Sequence, residues 1–172
     1  MKKSRVILRI LTLKDVTKKY VSWLNDYETM KFTEQKYLKH TLNSTINYVK
    51  KIKRSNNQIL YGIYIKNKFN FNHVGNIKLG PIDDNHKSSE ISYFIGEKNL
   101  LKKGVGTEAI RKIIQIAKSK YKLSKLIAGT YSNNISSQRV LIKNNFIREA
   151  NFKSQLIFEG KRINHYWYGL KI

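Results

Sequence analysis

The chain has 172 residues, 41% of them hydrophobic, and its 34 Lys and Arg outnumber 11 Asp and Glu to give a formal charge of +23. That length suits one domain burying roughly two-thirds of its surface, and an apolar fraction near the globular average excludes wholesale disorder despite the charge. A single Pro, nine Gly and no Cys exclude linker-like architectures, disulfides, thiolate metal sites and a thiol nucleophile.

In chain order, Val6 to Leu13 is β-branched and aliphatic and reads as a first strand. The opening MKKSRVILRILTL has the basic start of a signal peptide, but Arg9 interrupts a short apolar run and no cleavage site follows. No other segment approaches the roughly 18 apolar residues that span a membrane, so the cytoplasm is the expected location and no membrane partner is expected. After Asp15, the spacing of Val16, Tyr20, Trp23 and Leu24 predicts a helix ended by Asn25 and Asp26. Residues 27–40 carry Phe32, Glu34, Tyr37 and His40 without a clean period and read as a loop or broken helix. A second helix starts near Thr41 to Ser44 and places Ile46, Val49 and Ile52 on one face.

Strands follow. Gln58 to Ile65 pairs with His73 to Leu79 through a turn at Asn67-Lys68, Pro81 to Ser88 is a polar loop, and Ser89 to Ile95 is a fourth strand. Gly104 and Gly106 lead into a helix with Ala109, Ile110, Ile113, Ile114, Ile116 and Ala117 on its apolar face. Leu126 to Thr130 is a short strand and Ser136 to Lys143 a short helix. Ile147 to Phe158 and Ile163 to Leu170 form a final hairpin at Gly160-Lys161. The order β-α-α-β-β-β-α-β-α-β-β describes a mixed α/β sheet in one domain, residues 1–172, with no repeat and no linker.

The charge attracts phosphate-rich partners: nucleic acid, ribosome, anionic membrane or a phosphorylated cofactor. Most lysines are spread along the chain and read as solvated surface. Denser groups are Lys50, Lys51, Lys53 and Arg54, then Lys102 and Lys103, then Lys118, Lys120, Lys122 and Lys125. Only Lys102 and Lys103 adjoin a glycine motif.

That motif, Lys103-Gly104-Val105-Gly106-Thr107-Glu108-Ala109, sits at a helix start, where backbone N–H groups and the helix dipole favour an anion. No Gly-Lys-Ser/Thr excludes a Walker A loop. Gly-x-Gly-x-x-Ala formally matches the dinucleotide fingerprint. However, residues 96–103 separate it from its strand, and no acidic residue ends the strand Leu126 to Thr130. A glycine helix start with no ligand is the plain alternative.

The run Ser89-Glu90-Ile91-Ser92-Tyr93-Phe94-Ile95-Gly96, followed by Leu101-Lys102-Lys103-Gly104-Val105-Gly106-Thr107-Glu108-Ala109-Ile110, resembles the core motif of the GNAT acetyltransferases. That family's Gln/Arg-x-x-Gly-x-Gly/Ala turn holds the acetyl-CoA pyrophosphate; here Leu101 replaces the Gln or Arg. Asn134-Ile135-Ser136-Ser137, then Val140-Leu141 and Lys143-Asn144-Asn145-Phe146, resembles its Asn-x-x-Ser/Ala helix and closing Gly-Phe. Asn145 stands at the usual Gly, a position where Asn also tolerates a left-handed cap. The resemblance extends over nearly the whole chain. It implies a single-domain, largely antiparallel mixed sheet, splayed between the fourth and fifth strands and flanked by helices.

The resemblance also implies a site. Backbone at Phe94 and Ile95 would hold the pantetheine arm of acetyl-CoA, the co-substrate. The turn of Lys102, Lys103, Gly104, Val105, Gly106 and Thr107 would take the pyrophosphate, and Asn134 and Ser137 would contact the cofactor arm. Glu90 is the expected general base, with Glu34 second. The family's acid tyrosine is Leu141 here, so Tyr93 or Tyr131 stands in, or the thiolate leaves without a dedicated acid. Trp23, Phe32 and Glu34 are expected at the acceptor. The four His lack metal-ligand spacing and no metal is expected.

Trp23-Leu24-Asn25-Asp26 and the terminal aromatic strands resemble the GNAT branch that acetylates protein N-termini, ribosomal ones included, and nucleotide-linked amino sugars. A small amino-sugar amine ranks first as acceptor and a protein N-terminus second. Nucleic acid is not required, while a ribosomal partner and a homodimer stay open. The non-enzyme alternatives are a basic nucleic-acid-binding module and a CoA-binding module without catalysis.

Overall fold

The computed structural model describes residues 5–66 and 70–172, so the turn expected at Asn67-Lys68 lies outside the described residues. The described strands form one seven-stranded sheet: β1 (Val6–Ile10), β2 (Ile59–Lys66), β3 (Phe71–Asp83), β4 (Ser88–Ile95), β5 (Lys125–Tyr131), β6 (Ile147–Phe158) and β7 (Lys161–Lys171), in the order β1-β2-β3-β4-β5-β7-β6. Every neighbouring pair is antiparallel except β4 and β5, which run parallel. Those two pair only from Ser88–Glu90 to Lys125–Ile127 and then diverge. The splay expected from the family resemblance is therefore present.

Helices cover both faces. On one, α4 (Val105–Ser119) buries Val105, Ala109, Ile110, Ile113 and Ala117 against Ile63, Ile77, Leu79, Ile91 and Leu126 of the sheet. These positions recur at helical spacing, so apolar burial and local periodicity agree. Leu141 of α5 (Ile135–Ile142) and Phe146 complete this core. On the other face, α1 (Lys18–Leu24), α2 (Tyr27–Met30) and α3 (Leu42–Arg54) bury Tyr20, Trp23, Leu24, Met30, Val49 and Ile52 with Leu11 and Leu60. β4 serves both cores: Ile91, Tyr93 and Ile95 join the first, and Phe94 packs on the second. Period-two alternation on a strand covered on both sides produces that division.

Helix starts follow side-chain chemistry. The Thr17 hydroxyl accepts from the Tyr20 amide at 3.2 Å, and Thr41 and Ser44 exchange bonds at 2.9 and 3.1 Å in a capping box. Two strand boundaries need correction, and the broken helix expected between them gains detail. The first strand stops at Ile10 and not Leu13, because the Asp15 carboxylate accepts from both the amide and hydroxyl of Thr12 at 2.7 Å and turns the chain. Within 27–40, Asp26 and Thr33 cap two short turns, α2 and a 3-10 turn at Glu34–Tyr37. Each is too short to show a hydrophobic period. β3 continues to Asp83, through residues expected as loop, with Pro81 at a break in register between Leu79 and Ile82. No helix among the described residues is long and apolar enough to cross a membrane.

Candidate active site

The divergence of β4 and β5 leaves Ile91 to Ile95 without a ladder partner on the β5 side. Unpaired strand backbone inside a cleft offers N–H and C=O groups to an extended, amide-bearing ligand. Beyond β4, a 3-10 turn at Lys98–Leu100 leads into the glycine turn. Lys102 and Gly104 both adopt left-handed backbone, φ 59° and 82°, and Gly104 is the N-cap of α4. Glu108 makes the first intrahelical bond, to the Gly104 carbonyl at 3.0 Å. The amides of Val105, Gly106 and Thr107 therefore emerge from the positive end of a fifteen-residue helix. A Cβ on Gly104 would meet nothing within 4 Å, so the mouth of the turn is open.

Three contacts fix the turn. The Arg5 guanidinium donates to the Lys103 carbonyl, and the Val6 amide donates to Glu108 Oε2 at 3.3 Å. The buried Asn144 amide donates to the carbonyls of Thr107 (3.2 Å) and Val140 (2.9 Å), joining the end of α5 to the first turn of α4. Asn145 takes the expected left-handed conformation, φ 66°, and the Phe146 amide reaches back to the Leu141 carbonyl at 3.1 Å.

Four of the singled-out residues meet here. The Tyr93 hydroxyl donates to Ser137 Oγ at 3.5 Å, while the Ser137 amide donates to Asn134 Oδ1 at 3.2 Å. Gly106 lies over the Tyr93 ring, where an added Cβ would stand 3.2 Å from Cε2. Burial pushes the Tyr93 phenol up to about 12, so it keeps its proton at neutral pH. Leu141, 1% exposed, is a core side chain and does not face a ligand.

Glu90 lies three residues before Tyr93 on β4, and strand alternation places the two on opposite faces. Half-burial raises the Glu90 carboxyl above its ordinary value, and the Lys78 ammonium on β3 lowers it in part. A carboxylate moved in this direction is a better proton acceptor near neutral pH.

On the Glu90 face, beyond the end of β5, Phe32 and Glu34 come together with residues that their own segment does not predict. The Tyr131 hydroxyl donates to Glu34 Oε1 at 2.7 Å. Phe32 stacks on Phe158 with centroids 5.1 Å apart and planes 13° apart, and Tyr131 meets both rings edge-on. Burial pushes the Tyr131 phenol up, and its bond to Glu34 adds to that. Phe158 and the neighbouring Lys36 escaped sequence reasoning, because the contact from Phe32 to Phe158 spans most of the chain and leaves no local signal. Trp23 is 6% exposed and packs against Tyr20, His73 and Phe94. A Cβ on Gly96 would run into its indole. Trp23 therefore sits behind Phe94 and holds the end of β4. Among the described residues, no three His, Asp or Glu gather as a metal-binding group.

Residues 5–147 match the family model described as an acetyltransferase (GNAT) domain. No curated protein matches the chain by sequence. Among solved structures, the spermidine N-acetyltransferase from Vibrio cholerae in complex with CoA and spermine superposes with a TM-score of 0.87 at 16% identity, covering 98% of this chain and 96% of that one. RimL, a ribosomal-protein alpha-N acetyltransferase in complex with coenzyme A, gives 0.85 at 14% identity, over 99% and 96% of the two chains. The microcin self-immunity acetyltransferase MccE, in complex with acetyl-CoA and AMP, gives 0.80 at 18% identity, over 99% and 94%. At these identities the likeness is one of fold.

Proposed function

Since the chain belongs to the GNAT acetyltransferase family, with acetyl-CoA as its co-substrate, we propose that it transfers acetyl by direct attack to the primary amine of a small acceptor, a nucleotide-linked amino sugar. The proposal takes residues 1–172 as one N-acetyltransferase domain acting in the cytoplasm. The observation that carries it is the convergence of the β4–β5 splay with an open glycine turn at the start of α4.

Bound acetyl-CoA supplies an activated thioester. The amides of Val105, Gly106 and Thr107, with Lys102 and Lys103, hold its pyrophosphate. The unpaired edge at Phe94 and Ile95 holds its pantetheine arm and directs the thioester into the splay, while Asn134 and Ser137 line the arm. Glu90, on the acceptor face of β4, takes the proton that the amine loses on attack. Tyr93, protonated at neutral pH like any phenol and made a weaker acid by its burial, is the donor nearest the turn for the departing thiolate. Phe32 and Glu34 bound the acceptor, and Trp23 braces Phe94 behind it. Holding both reactants in one cleft lowers the entropic barrier to their encounter.

A protein N-terminus is the second reading. Exposed Phe152 and Ile157 on β6, 48% and 50% accessible, offer apolar surface to a peptide. Mass spectrometry of an acceptor panel incubated with acetyl-CoA tests both readings. Acetylated UDP-amino sugar is the expected product, acetylated peptide alone selects the second reading, and no acetylated amine contradicts both.

A further inference from the structure

A cation is already seated over the ring whose hydroxyl bonds Glu34. The Lys36 ammonium lies 4.8 Å from the ring centre of Tyr37, 4.7 Å from that of Tyr131 and 5.3 Å from that of Phe158. It also donates to the Lys31 carbonyl at 3.2 Å. Aromatic faces carry partial negative charge, so three rings around one ammonium fix its position and offset its lost hydration. Two of the rings are themselves immobilised, Phe158 by stacking on Phe32 and Tyr131 by its bond to Glu34. A primary ammonium has three N–H donors, and the Lys31 carbonyl takes one. Among the described residues no salt bridge joins Lys36 to an acid, Glu34 included.

We propose that Lys36 is the charge-selecting residue of the acceptor cleft: its caged ammonium favours a primary amine that also carries phosphate, as a sugar phosphate or a nucleoside diphosphate, over a neutral or polycationic amine. The inference rests on reading this cleft as the acceptor site of an N-acetyltransferase. A polyamine's second ammonium, drawn towards Glu34 and the rings, would meet like charge in the cage it needs. A phosphate meets a positive charge held in place. The chain's overall positive field acts in the same direction but is screened beyond about 8 Å at physiological salt, whereas Lys36 acts by contact.

The test is kcat/KM of the full-length enzyme at saturating acetyl-CoA, at physiological salt, for a UDP-linked amino sugar, glucosamine phosphate, glucosamine and spermidine. The two phosphorylated acceptors separate a diphosphate from a sugar-phosphate source. Wild type should favour a phosphorylated acceptor over glucosamine by about tenfold or more, equivalent to about 1.4 kcal/mol. Lys36→Met, which keeps most of the unbranched side chain against the rings without its charge, should erase that ratio mainly through KM. Lys36→Arg should preserve it. An unchanged ratio in a folded Lys36→Met variant overturns the proposal, as does a wild-type preference for spermidine or no acetylation of either phosphorylated acceptor. Calorimetry with acetyl-CoA is read separately. Intact donor binding without phosphate preference removes only the role of Lys36, whereas absent donor binding removes the acetyltransferase reading beneath it.

Discussion

Half-burial raises the Glu90 carboxyl, and Lys78 restores only part of its ordinary acidity. Because the folded-state value lies above the unfolded one, the contribution favours the fold below the unfolded pKa and is lost as pH rises through the folded value. At neutral pH an ionised Glu90 is thus a small burden on stability. Glu90→Gln should keep or raise Tm at neutral pH, with a smaller gain in mild acid. As general base, the same residue should cost kcat about a hundredfold or more on substitution, and wild-type activity should climb with pH through the raised carboxyl. Thermal melts at two pH values beside a pH–rate profile check both halves. A variant that loses stability and keeps its turnover contradicts them. Through the family resemblance the sequence singled out Glu90, Tyr93, Phe32, Glu34 and Ser137. Phe158 and Lys36 were not legible, because they meet only after folding brings the 3-10 turn, the end of β5 and the end of β6 together.

At the scale of elements, the glycine turn and α5 form one unit through Asn144. Removing its side chain takes away the donor that ties the Thr107 carbonyl to the Val140 carbonyl. Asn144→Ala should therefore destabilise by about 1–3 kcal/mol, the net loss of two hydrogen bonds of about 0.5–1.5 kcal/mol each, read as a lowered denaturation midpoint. It should also weaken acetyl-CoA binding, because the first turn of α4 loses its brace. Gly104 separates binding from folding more cleanly. Its φ of 82° suits Asp better than most side chains, and its Cβ direction is open. Gly104→Asp should fold, yet place a carboxylate at the anion-binding amides and lower acetyl-CoA affinity at least about tenfold. Tight binding by that variant would contradict the turn's assignment. α4 was legible because its apolar period and glycine start agree. α2 and the turn at Glu34–Tyr37 were not, being single turns held by the side-chain caps of Asp26 and Thr33. β3 outran its expected end because Pro81 marks a loop in sequence and here occupies a register break in a strand.

At the scale of the molecule, a chain of net charge +23 carries the proposed site for an anionic donor. Long-range attraction should quicken the encounter with acetyl-CoA, and salt should slow it. Stopped-flow association rates should fall as ionic strength rises from low to physiological, with dissociation rates changing less. Equal on-rates across that range would show that the field does not reach the site. The mixed sheet and its order of elements were readable from hydrophobic periods. The β4–β5 splay was not, since parallel pairing over only Ser88–Glu90 leaves no periodic signature and entered through family resemblance alone. The central claim is that the splay and glycine turn hold acetyl-CoA, and isothermal titration of the full chain at physiological salt tests it most directly, with ATP and a short DNA duplex as controls. Saturable binding of acetyl-CoA in preference to both controls is the expected result; duplex binding with no preference for acetyl-CoA would contradict the account and favour a basic nucleic-acid-binding module.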